Sequence, residues 1–164
     1  MESFKWNNGN GHFTILDFER INKDEYFKWC FVRNPFDRIA SAYITCPELK
    51  ISSFLEFLQT IKQNRPKNFG NLIQWNQCQS LGLNVSRIHF YPMTSLVSVK
   101  NMDFIGRFEN IEEDWKIVSD KFGETSQLPN RRKRTIDLPA YNKKSRELVR
   151  EIYASDFIEF GYDD

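Results

Sequence analysis

The chain has 164 residues, with 23 Lys and Arg against 22 Asp and Glu for a formal charge of +1, and a mean hydropathy of −0.58. That length is one domain by the usual prior (residues 1–164) and is enough to bury a core. A near-neutral balance gives no global basic field, which argues against general nucleic-acid or membrane-surface binding and makes any anion recognition local. No run of about 18 apolar residues is present to span a membrane. Phenylalanine is abundant, with 15 residues beside six Tyr and four Trp, so an aromatic-rich core is expected. Cys30, Cys46 and Cys78 are odd in number and form no C-x-x-C pair, and the start Met1-Glu2-Ser3-Phe4-Lys5-Trp6 lacks the apolar region of a signal peptide. Both features fit reduced thiols in a cytoplasmic setting, with Cys30 serving packing.

In chain order, residues 1–11 are polar and carry Asn7-Asn8-Gly9-Asn10-Gly11, a loop signal. The segment His12-Phe13-Thr14-Ile15-Leu16-Asp17-Phe18 is a short strand or the entry to a helix, and periodicity does not choose. Asn22-Lys23-Asp24-Glu25 is a turn. A strand then leads into a helix over residues 26–45, stopped by Pro47. Ser52 or Ser53 caps the next helix, in which Phe54, Leu55, Leu58 and Ile61 repeat at helical spacing to about Gln63. Residues 64–71 form a loop, and 72–81 a short amphipathic helix ended by Gly82. Arg87-Ile88-His89-Phe90-Tyr91 and Asp103-Phe104-Ile105-Gly106-Arg107-Phe108 are candidate strands. Asn110 caps the best-defined helix, Glu113 completes a capping-box pattern, and Ile111, Trp115, Val118 and Phe122 form one stripe, with Gly123 at its end. Residues 124–141 are irregular and include Arg131, Arg132, Lys133 and Arg134. A last helix spans about 142–156 and buries Leu148, Val149, Ile152 and Tyr153, after which Phe157 to Tyr162 pack or fray. Short strands alternating with helices predict an α/β domain with a mainly parallel sheet.

The chemistry concentrates where the strand at 26–32 ends. Asn34 is a good N-cap, Pro35 suits the first helical position, and Asp37 complements the first turn. A helix N-terminus offers free N–H groups and a positive dipole end, Arg33 adds a bidentate fork, and Ser41 adds a hydroxyl two turns on. These features suit a phosphate. They equally suit an ordinary strand-to-helix turn whose arginines pair with Asp37.

The wording is more specific than the physics. Arg33-Asn34-Pro35-Phe36-Asp37-Arg38, then Ser41-Ala42-Tyr43, resembles the R-(D/N)-P-x-x-R-x-x-S-x-Y motif of the PAPS-dependent sulfotransferases, closest to the carbohydrate type. Asp103-Phe104-Ile105-Gly106-Arg107-Phe108-Glu109-Asn110 with Asp114 is similar to the family's I-G-(R/K)-F-E-x-(I/L)-x-x-D block. Tyr153-Ala154-Ser155-Asp156-Phe157-Ile158-Glu159-Phe160-Gly161-Tyr162 is similar to its Y-x-x-D-x-x-x-F-G-Y close. Gly11-His12-Phe13-Thr14-Ile15-Leu16-Asp17-Phe18 looks like the G-H-x-x-x-L-D-F stretch of uronyl 2-O-sulfotransferases.

The resemblance implies a P-loop-like sulfotransferase fold, PAPS as sulfuryl donor with PAP as product, and a hydroxyl-bearing acceptor of carbohydrate type. Sulfuryl transfer requires no metal, and the near-neutral charge argues against nucleic-acid and membrane partners. The resemblance puts Arg33 and Ser41 on the donor's 3′-phosphate and His12 as catalytic base. One departure matters. The family's P-K-(T/V)-(A/G)-(G/S)-T-(S/T) loop, which holds the 5′-phosphosulfate, is not found here. The expectation is therefore an N-terminally truncated fold, a loop supplied by another polypeptide, or a decayed relative. A missing leaving-group lysine implies a rate deficit on the order of a hundredfold or more.

A histidine titrates near pH 6.5 and can accept a proton at neutral pH, which suits His12, although a histidine beside a glycine-rich loop is also an ordinary surface residue. His89 on its apolar strand reads as a core histidine, and Glu109 as a capping or structural group. The four basic residues from Arg131 either close over an anion or are a solvated loop. Three functions remain open: a sulfotransferase, a non-catalytic nucleotide-binding module, or a structural domain in which Arg33 makes a salt bridge.

Overall fold

The computed structural model describes residues 26–45, 53–63, 87–123, 128 and 137–163, and the fold is that of those residues. Trp29–Val32 form strand β1, an aromatic and β-branched run that suits a pleated surface. The chain turns at Asn34 and enters helix α1, Pro35–Thr45. Pro35 at the first helical position loses no hydrogen bond. The Asn34 Oδ1 accepts the Phe36 N–H at 2.9 Å, so Asn34 caps the helix as its sequence position suggests. Helix α2 spans Phe54–Gln63, and the Ser53 hydroxyl opens it by accepting the Glu56 N–H at 3.2 Å.

Short 3₁₀ turns at Arg87–Phe90, Met93–Ser95 and Val99–Asn101 lead to strand β2, Phe104–Arg107. Another such turn, Phe108–Asn110, feeds helix α3, Ile111–Phe122. Helices α4, Lys143–Ile152, and α5, Ala154–Phe160, complete the described chain.

β1 and β2 pair in parallel, Trp29 opposite Phe104 and Val32 opposite Arg107, and the chain between them is the long crossover that a parallel pair needs. Alternation puts Trp29 and Phe31 on one face of the sheet, where Trp29 meets Trp115 of α3 edge-on at 5.8 Å. Gly106 is required there. A Cβ at that position would stand 2.5 Å from the ring of Phe31, its partner in the ladder, and 3.1 Å from the Cβ of Asp114.

The core lies among α1, α2, α4 and α5. Ile39, Phe57, Leu58, Val149, Ile152 and Tyr153 are sealed from solvent, and Phe36, Phe54, Phe90 and Phe157 join them. Burying one such side chain contributes about 1.5–3 kcal/mol, so this cluster is the main source of cohesion. Its rings meet edge to face, Phe57 on Phe90 and Phe36 on Phe157 both at 5.3 Å. Cys30 is half-buried in β1, and loss of hydration pushes its thiol up to about 11, consistent with a packing role. The arrangement is α/β, a small parallel sheet flanked by helices.

Five sequence expectations need correction. The segment expected as a strand at 87–91 is a 3₁₀ turn over Arg87–Phe90. The Phe90 carbonyl accepts the Tyr153 hydroxyl at 2.7 Å in place of a ladder partner. His89 on this turn is exposed and is not a core histidine.

The predicted capping box of α3 does not form. The Asn110 side chain makes no cap bond, and the helix is instead entered through the preceding 3₁₀ turn. In its first turn Asp114 reaches back to accept the Arg107 N–H. Of the α3 stripe, Val118 is fully buried but Phe122 is 56 % exposed, touching Phe27 edge-on at 5.9 Å. Gly123 ends α3 with φ 67°, as expected.

The last helix is two helices, broken at Tyr153. The break lets the Tyr153 hydroxyl reach Phe90 while the Asp156 carboxylate reaches the Met93 and Thr94 N–H groups. Its tail does not fray: Phe157 and Phe160 are buried, and Gly161 closes α5 with φ 61°. The capping box belongs to α4, where Asn142 and Ser145 satisfy each other's N–H groups.

Candidate functional site

β1 ends at buried Val32 and delivers Arg33 to the gap before α1. Arg33 is half-buried, and its guanidinium carbon lies 4.6 Å from the centroid of the Phe108 ring. Phe108 is 46 % exposed, while Arg33 is half-buried with its Nε closed off from solvent, so the stacked pair spans the edge of the fold. Stacking uses the flat face of a guanidinium, while its donors lie in the plane, where a phosphate or carboxylate engages them.

Arg38, one turn into α1, has a different task. Its Nη1 is 3.9 Å from Asp156 Oδ2, and its guanidinium carbon is 6.0 Å from the Tyr153 ring. Asp156 also accepts the Met93 N–H at 2.8 Å, and the Thr94 N–H and hydroxyl at 2.9 Å. Burial pushes the Asp156 carboxyl above its ordinary range against the pull of these donors.

The turn that carries Arg33 is fixed from β2. Just before the paired strands the Lys28 N–H donates to Asp103 Oδ2 at 2.7 Å. Just after them the Asn34 N–H donates to Glu109 Oε1 at 2.7 Å. Both side-chain bonds span the same 75-residue offset as the strand register, so two carboxylates extend the backbone ladder by one rung at each end. The second Glu109 oxygen accepts the Tyr162 hydroxyl at 3.1 Å. The Arg107 guanidinium lies 4.6 Å over the Tyr162 ring and donates to the carbonyls of Phe160, at 2.7 Å, and Gly161, at 3.1 Å. Burial first, and the Glu109 charge second, hold the Tyr162 hydroxyl un-ionised well above the usual tyrosine range.

The opposite side of the α1 start is tied down as well. The Tyr141 hydroxyl donates to the Phe36 carbonyl at 2.6 Å, its ring meets Phe36 at 5.3 Å, and Arg146 stacks on Phe36 at 4.6 Å. Burial, then the Asp37 charge, raises the Tyr141 hydroxyl above its ordinary value.

Ser41 is half-buried between Ala40 and Ala42 on α1, and its carbonyl accepts the Thr45 hydroxyl at 2.9 Å. It shares a flank with exposed Asp37, one turn earlier. By helical rise it stands about 9 Å beyond Pro35 along the axis. Arg33 stands just ahead of α1, and Ser41 lies within that helix, two turns on. His12 and the basic residues Arg131, Arg132, Lys133 and Arg134 lie outside the described residues. Among the described residues no group of three or more His, Cys, Asp or Glu could hold a metal ion, and no helix is long and apolar enough to cross a membrane.

Sequence reasoning missed Phe108 and Tyr162 as members of this corner. The signal for Phe108 was available only by pairing the two short strands in register, since that pairing sets the residue after Arg107 beside the residue after Val32.

Residues 3–163 match the model of a family described as the sulfotransferase family. The chain belongs to the sulfotransferase family. The carbohydrate-type motif read at Arg33 fits that match. A protein of Archaeoglobus fulgidus (strain ATCC 49558), described only as uncharacterized, is 28 % identical over 105 residues, which is 64 % of this chain and 74 % of that protein. No solved structure matches the chain. For a sulfotransferase, membership implies sulfuryl transfer to a hydroxyl-bearing acceptor, with PAPS as the general donor. The matched span takes in the β1–α1 junction, the β2–α3 entry and the C-terminal helices, which are the elements that meet around Glu109.

Proposed function

We propose that this sulfotransferase binds PAPS with its 3′-phosphate on Arg33 and Ser41 and passes the sulfuryl group to a carbohydrate hydroxyl. The observation that carries the reading is Arg33 itself. It is held at the start of a capped helix by a turn bonded on both sides, with its guanidinium stacked on the Phe108 ring. A guanidinium fork just ahead of a helix start, with a serine hydroxyl on that helix, suits a doubly charged phosphate. PAPS, when bound, supplies the activated sulfuryl group. The chain's own residues bind and orient: Arg33 by a charge-assisted pair, Ser41 by a hydroxyl donor. His12 takes the proton of the acceptor hydroxyl at an imidazole nitrogen, a role suited to a group that titrates near pH 6.5.

The test is calorimetric titration with 3′,5′-ADP, followed by transfer of labelled sulfate from PAPS to a mixed glycan pool. Saturable binding with label on glycan supports the reading. Binding without any transfer reduces the function to a nucleotide-binding module, and no binding of 3′,5′-ADP overturns it.

A further inference from the structure

The geometry points to Glu109 as the positioning residue for Arg33, acting through the Asn34 amide and anchored by Tyr162. This inference rests on the nucleotide reading of Arg33 above and adds a residue to it.

Arg33 sits between two fixed points. Val32 before it is the last residue of the paired ladder, opposite Arg107, and Asn34 after it has its N–H held by Glu109 at 2.7 Å and its side chain held by the Phe36 N–H at 2.9 Å. The backbone torsions on either side of Arg33 therefore have little freedom. The adjacent pair Phe108 and Glu109 divides the work. The ring of Phe108 supports the guanidinium at 4.6 Å, and the carboxylate of Glu109 fixes the peptide that follows.

Glu109 is anchored in turn. Its other oxygen accepts the Tyr162 hydroxyl at 3.1 Å, and Arg107 pins that ring to the end of α5. Both carboxylate oxygens are thus engaged by hydrogen-bond donors, which argues against free proton transfer there. A carboxylate beside an anion seat also opposes binding by like charge. Glu109 is useful in that place only for the bonds it accepts, which fix where Arg33 stands to within the tolerance that recognition requires. Acceptance, and not charge, is what binding needs from it.

The discriminating measurement is the affinity of the full chain for 3′,5′-ADP and for its isomer 2′,5′-ADP, which carries the same charge in a different place. Glu109→Ala should weaken 3′,5′-ADP by about tenfold, the scale of a lost bond to a charged group, and compress the preference between the isomers. Glu109→Gln keeps an acceptor for the Asn34 N–H, so most of the affinity and the isomer preference should return. Tyr162→Phe should fall between the two.

Wild-type affinity and preference in Glu109→Ala overturn the inference. So does a loss in folded Glu109→Gln as large as that in Glu109→Ala, since charge and not acceptance would then be at work. If Glu109→Ala does not fold, Glu109→Gln decides: near-wild-type affinity and isomer preference support the inference, and loss of either overturns it. A wild-type chain that binds no 3′,5′-ADP overturns the parent reading instead, and so tells the two failures apart.

Discussion

Around Phe57 the chain is held by rings, whereas along the strand pair that leads to Arg33 it is held by carboxylates that accept backbone N–H groups. Phe57, Leu58, Val149 and Tyr153 are closed off between α2 and α4, where cohesion is proportional to area and has no preferred direction. At the other corner Asp103, Glu109 and Asp114 each take one backbone N–H, from Lys28, Asn34 and Arg107 in turn. Each such bond is worth only about 1 kcal/mol net, yet it fixes a peptide in one orientation. Burial therefore supplies stability, and directional bonds supply placement. A site that must present one guanidinium to one phosphate needs the second kind.

That contrast can be broken in both directions. The largest effect should come from Phe57→Ala, which empties a fully buried site against Phe90. Thermal or denaturant unfolding should report a loss of about 3–5 kcal/mol, while 3′,5′-ADP affinity measured well below the new midpoint stays near wild type. A comparable loss of affinity in folded protein would blur the division. Gly106→Ala comes next. Its new Cβ would meet the Phe31 ring, so about 1–3 kcal/mol of stability should be lost, and binding should fall with it because β2 carries Phe108 and Glu109.

A smaller effect concerns Asp156, on the core side of α1. Its carboxyl ionises less readily in the fold than the 3.8 of an ordinary aspartate. Above that pH the unfolded chain gives up a proton that the folded chain retains. The stability from this group is complete at lower pH and is lost as pH rises through the folded value. The unfolding temperature of wild type minus that of Asp156→Asn should therefore fall as pH rises from about 4. A rise would show the donors from Met93, Thr94 and Arg38 outweighing the cost of burial. Least costly should be Asp103→Ala, which removes an exposed rung far from Arg33. A loss of about 1 kcal/mol or less in chemical denaturation, with unchanged nucleotide affinity, is expected.

The same contrast explains what could be read from the sequence. The start of α1 was legible because its signals are local: Asn34 caps, Pro35 leads, and the apolar run before them is a strand. Leu148, Val149, Ile152 and Tyr153 were legible because helical spacing reports a buried face whatever packs on it. The turn at Arg87–Phe90 differs from the expected strand because Ile88, Phe90 and Tyr91 carry strand-like side chains, whereas the Tyr153 hydroxyl takes the Phe90 carbonyl. Asn110 and Glu113 carried the letters of a capping box, but Asp114 reached back to Arg107 and the cap never formed. Phe108 beside Arg33, and Glu109 on Asn34, depend on a pairing between strands some 75 residues apart. No local pattern encodes such a distance. Arg33 and Ser41 came instead from the wording of a motif, and the support around them came from tertiary structure.

Whether Arg33 holds an anion at the mouth of α1 is decided by calorimetry of Arg33→Ala with 3′,5′-ADP, checked by near-ultraviolet circular dichroism. Binding should fall by about a hundredfold or more, the scale of losing a bidentate charge-assisted pair, with an unaltered spectrum. Wild-type affinity in the correctly folded variant would contradict the assignment.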